Sequence, residues 1–210
     1  MSTDPRWRGL AALASVAAVA AAAVALTWQF TAPRIAENER LHEQRTLVEV
    51  LPGVDFDNLL LDARVELDAA ELLGEPGTSA WLARRDRDTV ALVLRVSAPD
   101  GYNGRIRLLL GLSADGEVLG VRTVSHRETP GLGDAIEHER SDWIHQFDGR
   151  SLRDPAAGGW AVNRDGGQFD AISGATVTAR AVVRAIRNAL LYFDANREEL
   201  LRAEPAPDSD

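Results

Sequence analysis

The chain has 210 residues, 26% of them charged, with a formal net charge of −9 and no cysteine. That length suits one ordinary domain with a short extra segment, and the acidic balance argues against a broad nucleic-acid surface. Without thiols there is no disulfide, thiolate-held iron–sulfur cluster or c-type haem, so any electrons the chain handles must reside on an organic group.

The first element is an uncharged run from Gly9 to Leu26, almost wholly Ala, Val and Leu. As a helix it would be about 27 Å long at about 1.5 Å per residue, which matches the hydrocarbon core of a bilayer. Arg6 and Arg8 precede the run, while Trp28 and Phe30 follow it. The positive-inside rule therefore predicts a cytoplasmic N-terminus and an extracytoplasmic remainder after about Thr31. A cleavable signal peptide competes with this reading, with Ala23-Val24-Ala25 as a small-x-small site. The run is longer than a usual signal core and leads without a break into a helical pattern from Glu37 to Leu51, which favours an anchor over residues 1–30.

Ile35, Leu41, Leu47, Val48 and Leu51 alternate with polar residues as an amphipathic helix requires, and Pro52-Gly53 ends the pattern. Residues 31–53 thus read as a connecting helix. From Val54 to Gly77 the chain is acidic and Leu-rich with no clean period, apart from one short helix around Asp68 to Leu73. Ser79–Arg84 and Thr89–Val96 form a predicted hairpin around Arg85-Asp86-Arg87-Asp88. Arg105–Leu112 and Val118–Val124 form a second around Ser113-Ala114-Asp115-Gly116. A short helix is expected at Ser141–Phe147, with Trp143 and Ile144 on its buried side. Trp160–Val162 and the segment around Phe169 suggest further strands. The last helix is predicted from about Thr178 to Arg202, with Val182, Val183, Ile186, Ala189, Leu190 and Phe193 on one face. The expected class is α+β: an N-terminal transmembrane helix, an antiparallel-sheet domain over 54–203 with a long C-terminal helix, and an acidic tail at 204–210.

Two motifs carry chemistry. Asp170-Ala171-Ile172-Ser173-Gly174-Ala175-Thr176 lies where sheet gives way to the last helix. Ser173 is a natural cap there, so free N–H groups and the positive dipole end would face whatever Thr176 carries. Gly174 and Ala175 leave room for a close approach to the backbone. Read without chemistry, the same residues are a simple N-cap. The second motif, His126-Arg127-Glu128-Thr129-Pro130-Gly131-Leu132-Gly133-Asp134, is a Pro- and Gly-fixed loop suited to presenting atoms, or a plain turn.

The first motif, read as DxxSGAT, resembles the flavinylation site of the FMN-binding domains in bacterial Rnf and Na+-translocating NADH:quinone oxidoreductase complexes. The second matches their ETPGLG loop from Glu128 to Gly133 without a departure. Gly101-Tyr102-Asn103-Gly104-Arg105-Ile106 and Ser141-Asp142-Trp143-Ile144 extend the resemblance, which covers most of the chain from about Gly101 to Arg187. It is similar to the Rnf G-subunit family, with the C subunits of the sodium pump as runner-up. Modest length and the Gly-Asp-Ala-Ile continuation after the loop favour Rnf.

The resemblance implies FMN held covalently by a phosphoester to Thr176. Ser173, Gly174, Ala175 and Asp170 would complete the attachment motif, and Asp170 would serve recognition or Mg2+ handling by a flavin transferase. Glu128, Thr129 and Leu132 would lie beside the flavin. It further implies an electron-transfer component of an ion-translocating ferredoxin/NAD oxidoreductase in the cytoplasmic membrane, its main domain periplasmic. Integral-membrane and iron–sulfur subunits would be its partners. An anchored scaffold without cofactor is the rival from another class. The residues offer little else: His126, Glu128, Asp134, Glu137, His138 and Glu139 lack a metal-ligand rhythm, Ser173 sits in no GxSxG elbow, and no GxGxxG follows a strand.

Overall fold

The computed structural model describes residues 43–205 continuously, together with positions 17, 20, 21, 23, 24, 27–29, 31, 40 and 41. The predicted anchor lies mostly outside the described residues, as do Arg6, Arg8, Phe30, Ile35 and tail residues 206–210. Among the described residues no helix is long and apolar enough to cross a membrane.

Five antiparallel strands form one sheet in sequential order: β1 (Arg64–Leu67), β2 (Thr78–Arg85), β3 (Asp88–Gly101), β4 (Gly104–Ser113) and β5 (Val118–Ser125). Arg85 pairs with Asp88, leaving the two-residue loop Asp86-Arg87 with φ of 52° and 78°. Both residues are left-handed, which matches the right-handed twist of the flanking strands. Gly116, at φ 81°, turns β4 into β5. The central strands read as nearly unbroken apolar runs because both faces of the sheet are covered. Leu92, Leu94, Val96, Leu108, Leu110 and Leu112 face one core, completed by Val182, Val183, Ile186, Leu190 and Phe193 of the C-terminal helix. Trp81, Ala83, Ala91, Val93 and Leu109 face the other, where Leu47, Val50, Leu51 and Leu60 close over them.

That second layer gives the segment before β1 a place the sequence pattern does not reveal. Helical turns at residues 44–49 lead into a bend, and Val50 lies directly on the sheet where β4 and β5 pair Gly111 with Gly120. A β-carbon on Gly111 would fall 1.8 Å from the Val50 carbonyl oxygen, so only glycine admits this contact. The expected short helix is present as α1 (Ala70–Leu73).

Residues 126–175 contain no further strand of the sheet. Ser141 caps a 3-10 helix at Asp142–Phe147, which buries Ile144 and Phe147 and leaves Trp143 half-buried. The strands expected at Trp160–Val162 and around Phe169 are absent. A single parallel bridge, Val162 to Phe169, replaces them, flanked by 3-10 turns at Ala157–Gly159 and Asn163–Asp165. The backbone groups that a ladder would use are spent in tight turns: the N–H groups of Asp165 and Gly167 both donate to the Val162 carbonyl, and those of Ala161 and Gln168 to the Gly159 carbonyl. Stacked rings hold this irregular stretch. Phe169 lies 4.8 Å from Phe147 and 4.7 Å from Trp160 between ring centroids. The chain then enters α2 (Thr176–Arg202), two residues earlier than the apolar pattern suggests.

Candidate functional site

The attachment motif is the turn between the aromatic cluster and α2. Phe169 is buried, and Asp170 emerges beside it with its N–H donating to Gln146 Oε1 at 2.6 Å. Its carbonyl accepts from Trp143 Nε1 at 2.8 Å, and its Oδ1 accepts from Asn163 Nδ2 at 3.2 Å. Gly174 then reverses the chain at φ 80°, a conformation natural to glycine. This reversal corrects the expected role of Ser173. The N-cap position falls to Ala175 and carries no side-chain cap bond, while Ser173 stands exposed on the far side of the left-handed turn.

Thr176 is therefore the first helical residue. Its N–H, with those of Val177 and Thr178, has no partner within the helix ladder. The first turn of α2 holds no acidic residue of its own, and the carboxylate that reaches it, Glu128, is engaged by the Thr178 hydroxyl two residues beyond Thr176. The half-buried Thr176 hydroxyl accepts from Arg164 Nη1 at 3.2 Å. An alcohol, a cation and an uncapped helix start converge on one point, an arrangement suited to holding an anionic ester.

The second motif folds against the first. Within it the N–H groups of Leu132 and Gly133 both donate to the Thr129 carbonyl, at 3.1 and 2.9 Å, with Gly131 at φ 76°. Leu132 projects over Gly174, where a β-carbon would lie 3.0 Å from its Cδ2. Glu128 faces the interior and is 4% exposed. Its Oε1 accepts from the Asn103 backbone N–H at 3.0 Å, and its Oε2 accepts the hydroxyl of buried Thr178. Gly101 and Gly133 form its niche, since a β-carbon on Gly133 would come within 2.7 Å of Glu128 Cβ. Thr129 Oγ1 accepts from Asn103 Nδ2 at 3.2 Å. At the loop entrance, the Glu128 N–H donates to His126 Nδ1 at 3.0 Å, so the ring proton sits on Nε2, 2.6 Å from Glu137 Oε1.

Both motifs thus share one surface, with Leu132 exposed over Gly174, Val177 exposed next to Thr176 in the chain and Tyr102 exposed next to Asn103. Open apolar side chains beside an anion-favouring hydroxyl fit a ligand with a phosphate at one end and a flat apolar ring at the other, and FMN has that form. Among the described residues no group of three or more His, Asp or Glu is placed to hold a metal.

A family model for the FMN-binding domain matches residues 101–191, which takes in both motifs, and one for the RnfG N-terminal region matches residues 9–50. The G subunit of the ion-translocating oxidoreductase complex of Pseudomonas aeruginosa strain UCBPP-PA14 is 54% identical over 199 residues, spanning 94% of this chain and 91% of that protein. The chain belongs to the G-subunit family of ion-translocating oxidoreductase complexes. Other G subunits are similar along most of their length: that of Shewanella loihica at 45% identity over 85% of this chain and 84% of its own, and that of Vibrio vulnificus at 39% over the same shares. Membership of the G-subunit family does not favour the runner-up, the C subunit of the sodium pump.

Several residues of this G-subunit site have no signature in the sequence. Arg164, Asp165 and Arg180 act through contacts between a turn and the start of α2, and Thr178 through its hydroxyl bond to Glu128. Asp165 accepts two bonds from Arg180, at 2.5 and 2.6 Å. That hydrogen bonding holds the Asp165 carboxyl below the usual carboxylate range and raises Arg180. Asn103 and Trp143 lie in segments, Gly101–Ile106 and Ser141–Ile144, that the sequence singles out.

Proposed function

We propose that this chain carries FMN as a phosphoester on Thr176 Oγ1 and relays electrons within an ion-translocating oxidoreductase complex of the cytoplasmic membrane. The observation that supports this most directly is the placement of Thr176 at N1 of a helix with no side-chain cap and no acidic residue in its own first turn, beside the ETPGLG loop, whose Leu132 lies over Gly174. Bound FMN supplies one- and two-electron chemistry. The chain supplies position and field. The N–H groups of the first turn of α2 receive the phosphoester charge, Leu132 and Val177 cover apolar ring surface and exclude water, and Glu128 braces the loop that carries Leu132 by tying it to Asn103 and Thr178. Ser173, Gly174 and Ala175 keep the approach to Thr176 open, and Asp170, exposed and fixed by Asn163, is available to a flavin transferase.

On this reading residues 9–26 anchor the chain, the domain lies on the outer face of the membrane, and iron–sulfur and integral-membrane subunits of the complex exchange electrons with the flavin. The test is co-expression with the transferase followed by intact-mass measurement. The chain gains one flavin-sized mass that survives denaturation, and Thr176→Val abolishes it while changing folding stability by less than about 1 kcal/mol. Protein from native membranes with Thr176 unmodified overturns the reading and leaves an anchored scaffold.

A further inference from the structure

The Asn163–Asp165 turn grips the attachment motif through three consecutive side chains. Asn163 Nδ2 donates to Asp170 Oδ1 at 3.2 Å, Arg164 Nη1 donates to Thr176 Oγ1 at 3.2 Å, and Asp165 takes the bidentate bond from Arg180. Thr176 and Arg180 stand four residues apart on one face of α2, so one short turn holds both Asp170, ahead of the helix, and the first helical turn from Thr176 to Arg180. Gly166, in the left-handed conformation, and the Asn163 N–H bonded to the Phe169 carbonyl at 2.6 Å fix the turn from below.

From this geometry we infer that Arg164 is the charge partner of a phosphodiester on Thr176, with Asp165 and Arg180 as the buttress that aims it. The inference rests on the covalent-flavin reading and adds the residue that stabilises its charge. A phosphodiester keeps one negative charge. Asp165 and Asp170 border the site, and the buried Glu128 carboxylate reaches Thr178, where the Thr178 hydroxyl and the Asn103 N–H engage its two oxygens. Arg180 neutralises Asp165 and Asn163 donates to Asp170, while Arg164 forms no ion pair with a carboxylate among the described residues. Its guanidinium therefore stands as uncompensated positive charge at the attachment oxygen. Once that oxygen is esterified it is a poorer acceptor, and the two free phosphoryl oxygens lie two bonds further out, through phosphorus, within the reach of a planar fork of donors.

The full-length chain and its Arg164→Ala and Arg164→Lys variants, each co-expressed with the flavin transferase, test this by intact mass and by the 31P resonance of the ester. Arg164→Ala slows flavin loading about tenfold, as expected for loss of one charge-assisted hydrogen bond, and moves the 31P resonance of the loaded fraction. Arg164→Lys restores loading in large part. An unmoved 31P resonance in loaded Arg164→Ala protein overturns the inference. If Arg164→Ala takes up no flavin at all, rescue by Arg164→Lys supports the inference and failure of rescue overturns it. Wild-type chain that gains no mass overturns instead the covalent reading on which this rests.

Discussion

Glu128 shows how one side chain can join two distant motifs. Its carboxylate is buried, yet both oxygens are used: one receives the Asn103 N–H of the β3–β4 loop, the other the Thr178 hydroxyl of α2. Removing the carboxylate strands the buried Thr178 hydroxyl and frees the part-buried Asn103 N–H, and an unmet buried donor costs more than a made bond returns. Glu128→Ala therefore destabilises the domain by about 3 kcal/mol, whereas Glu128→Gln, which keeps one acceptor and the volume, costs about 1 kcal/mol. Urea unfolding of the two variants checks this, and equal midpoints would show that the carboxylate bonds are not what holds the loop. The Asp165–Arg180 pair at the opposite rim is exposed and behaves differently. The folded pKa of Asp165 is lowered by its bonds to Arg180. The contribution of the pair is thus fully present above the ordinary carboxylate value of 3.8 and is lost as pH falls through the lowered one. Asp165→Asn is then less stable than wild type at neutral pH, and the gap closes in acid below that value and narrows in high salt. A gap that is independent of pH excludes the ion pair as its cause.

At the level of elements, the double-faced sheet explains which parts of the fold the sequence makes legible. β2 to β5 are readable because apolar runs such as Thr89–Val96 and Arg105–Leu112 are interrupted by turn residues, and α2 because Val182, Ile186 and Phe193 recur at helical spacing. The second layer is readable only in part: Leu47 and Leu51 fall on the predicted amphipathic pattern, but Val50 and Leu60, which come from a bend and a loop, share no period with them. The start of α2 is misplaced in the pattern because Gly174 inserts a left-handed step between Ser173 and the helix. Of the site, both motifs are legible as loops with fixed backbone paths. Arg164 is not, because it meets Thr176 only through tertiary folding, twelve residues along the chain. The second layer also makes a sharp prediction. Alanine at Gly111 collides with the Val50 carbonyl oxygen, and backbone on both sides cannot give way as a side chain can. Gly111→Ala should cost about 2–3 kcal/mol and open residues 44–60 to limited proteolysis while β3 and α2 remain protected. Wild-type resistance in that segment would mean Val50 does not rest on the sheet.

For the whole molecule, membrane sidedness decides whether the site can work as proposed, because the flavin must meet partners on the side where the domain resides. Charge favours the outer face: Arg6 and Arg8 precede the apolar run from Gly9 to Leu26, and Arg residues near the end of a span are retained in the cytoplasm. The absence of cysteine gives a clean background for testing this. Glu139 is exposed in the loop after the ETPGLG segment, away from the attachment turn, so Glu139→Cys places one accessible thiol on an otherwise thiol-free chain. In spheroplasts, a membrane-impermeant maleimide should label this variant to the same extent before and after lysis. Labelling only after lysis would put the domain in the cytoplasm and contradict the charge rule for this chain. The same preparation resolves the anchor from the signal peptide: an intact mass that includes Met1 through Leu26, with the chain retained in alkali-washed membranes, identifies an uncleaved span, whereas a chain starting shortly after Ala25 and released by the wash identifies a removed leader.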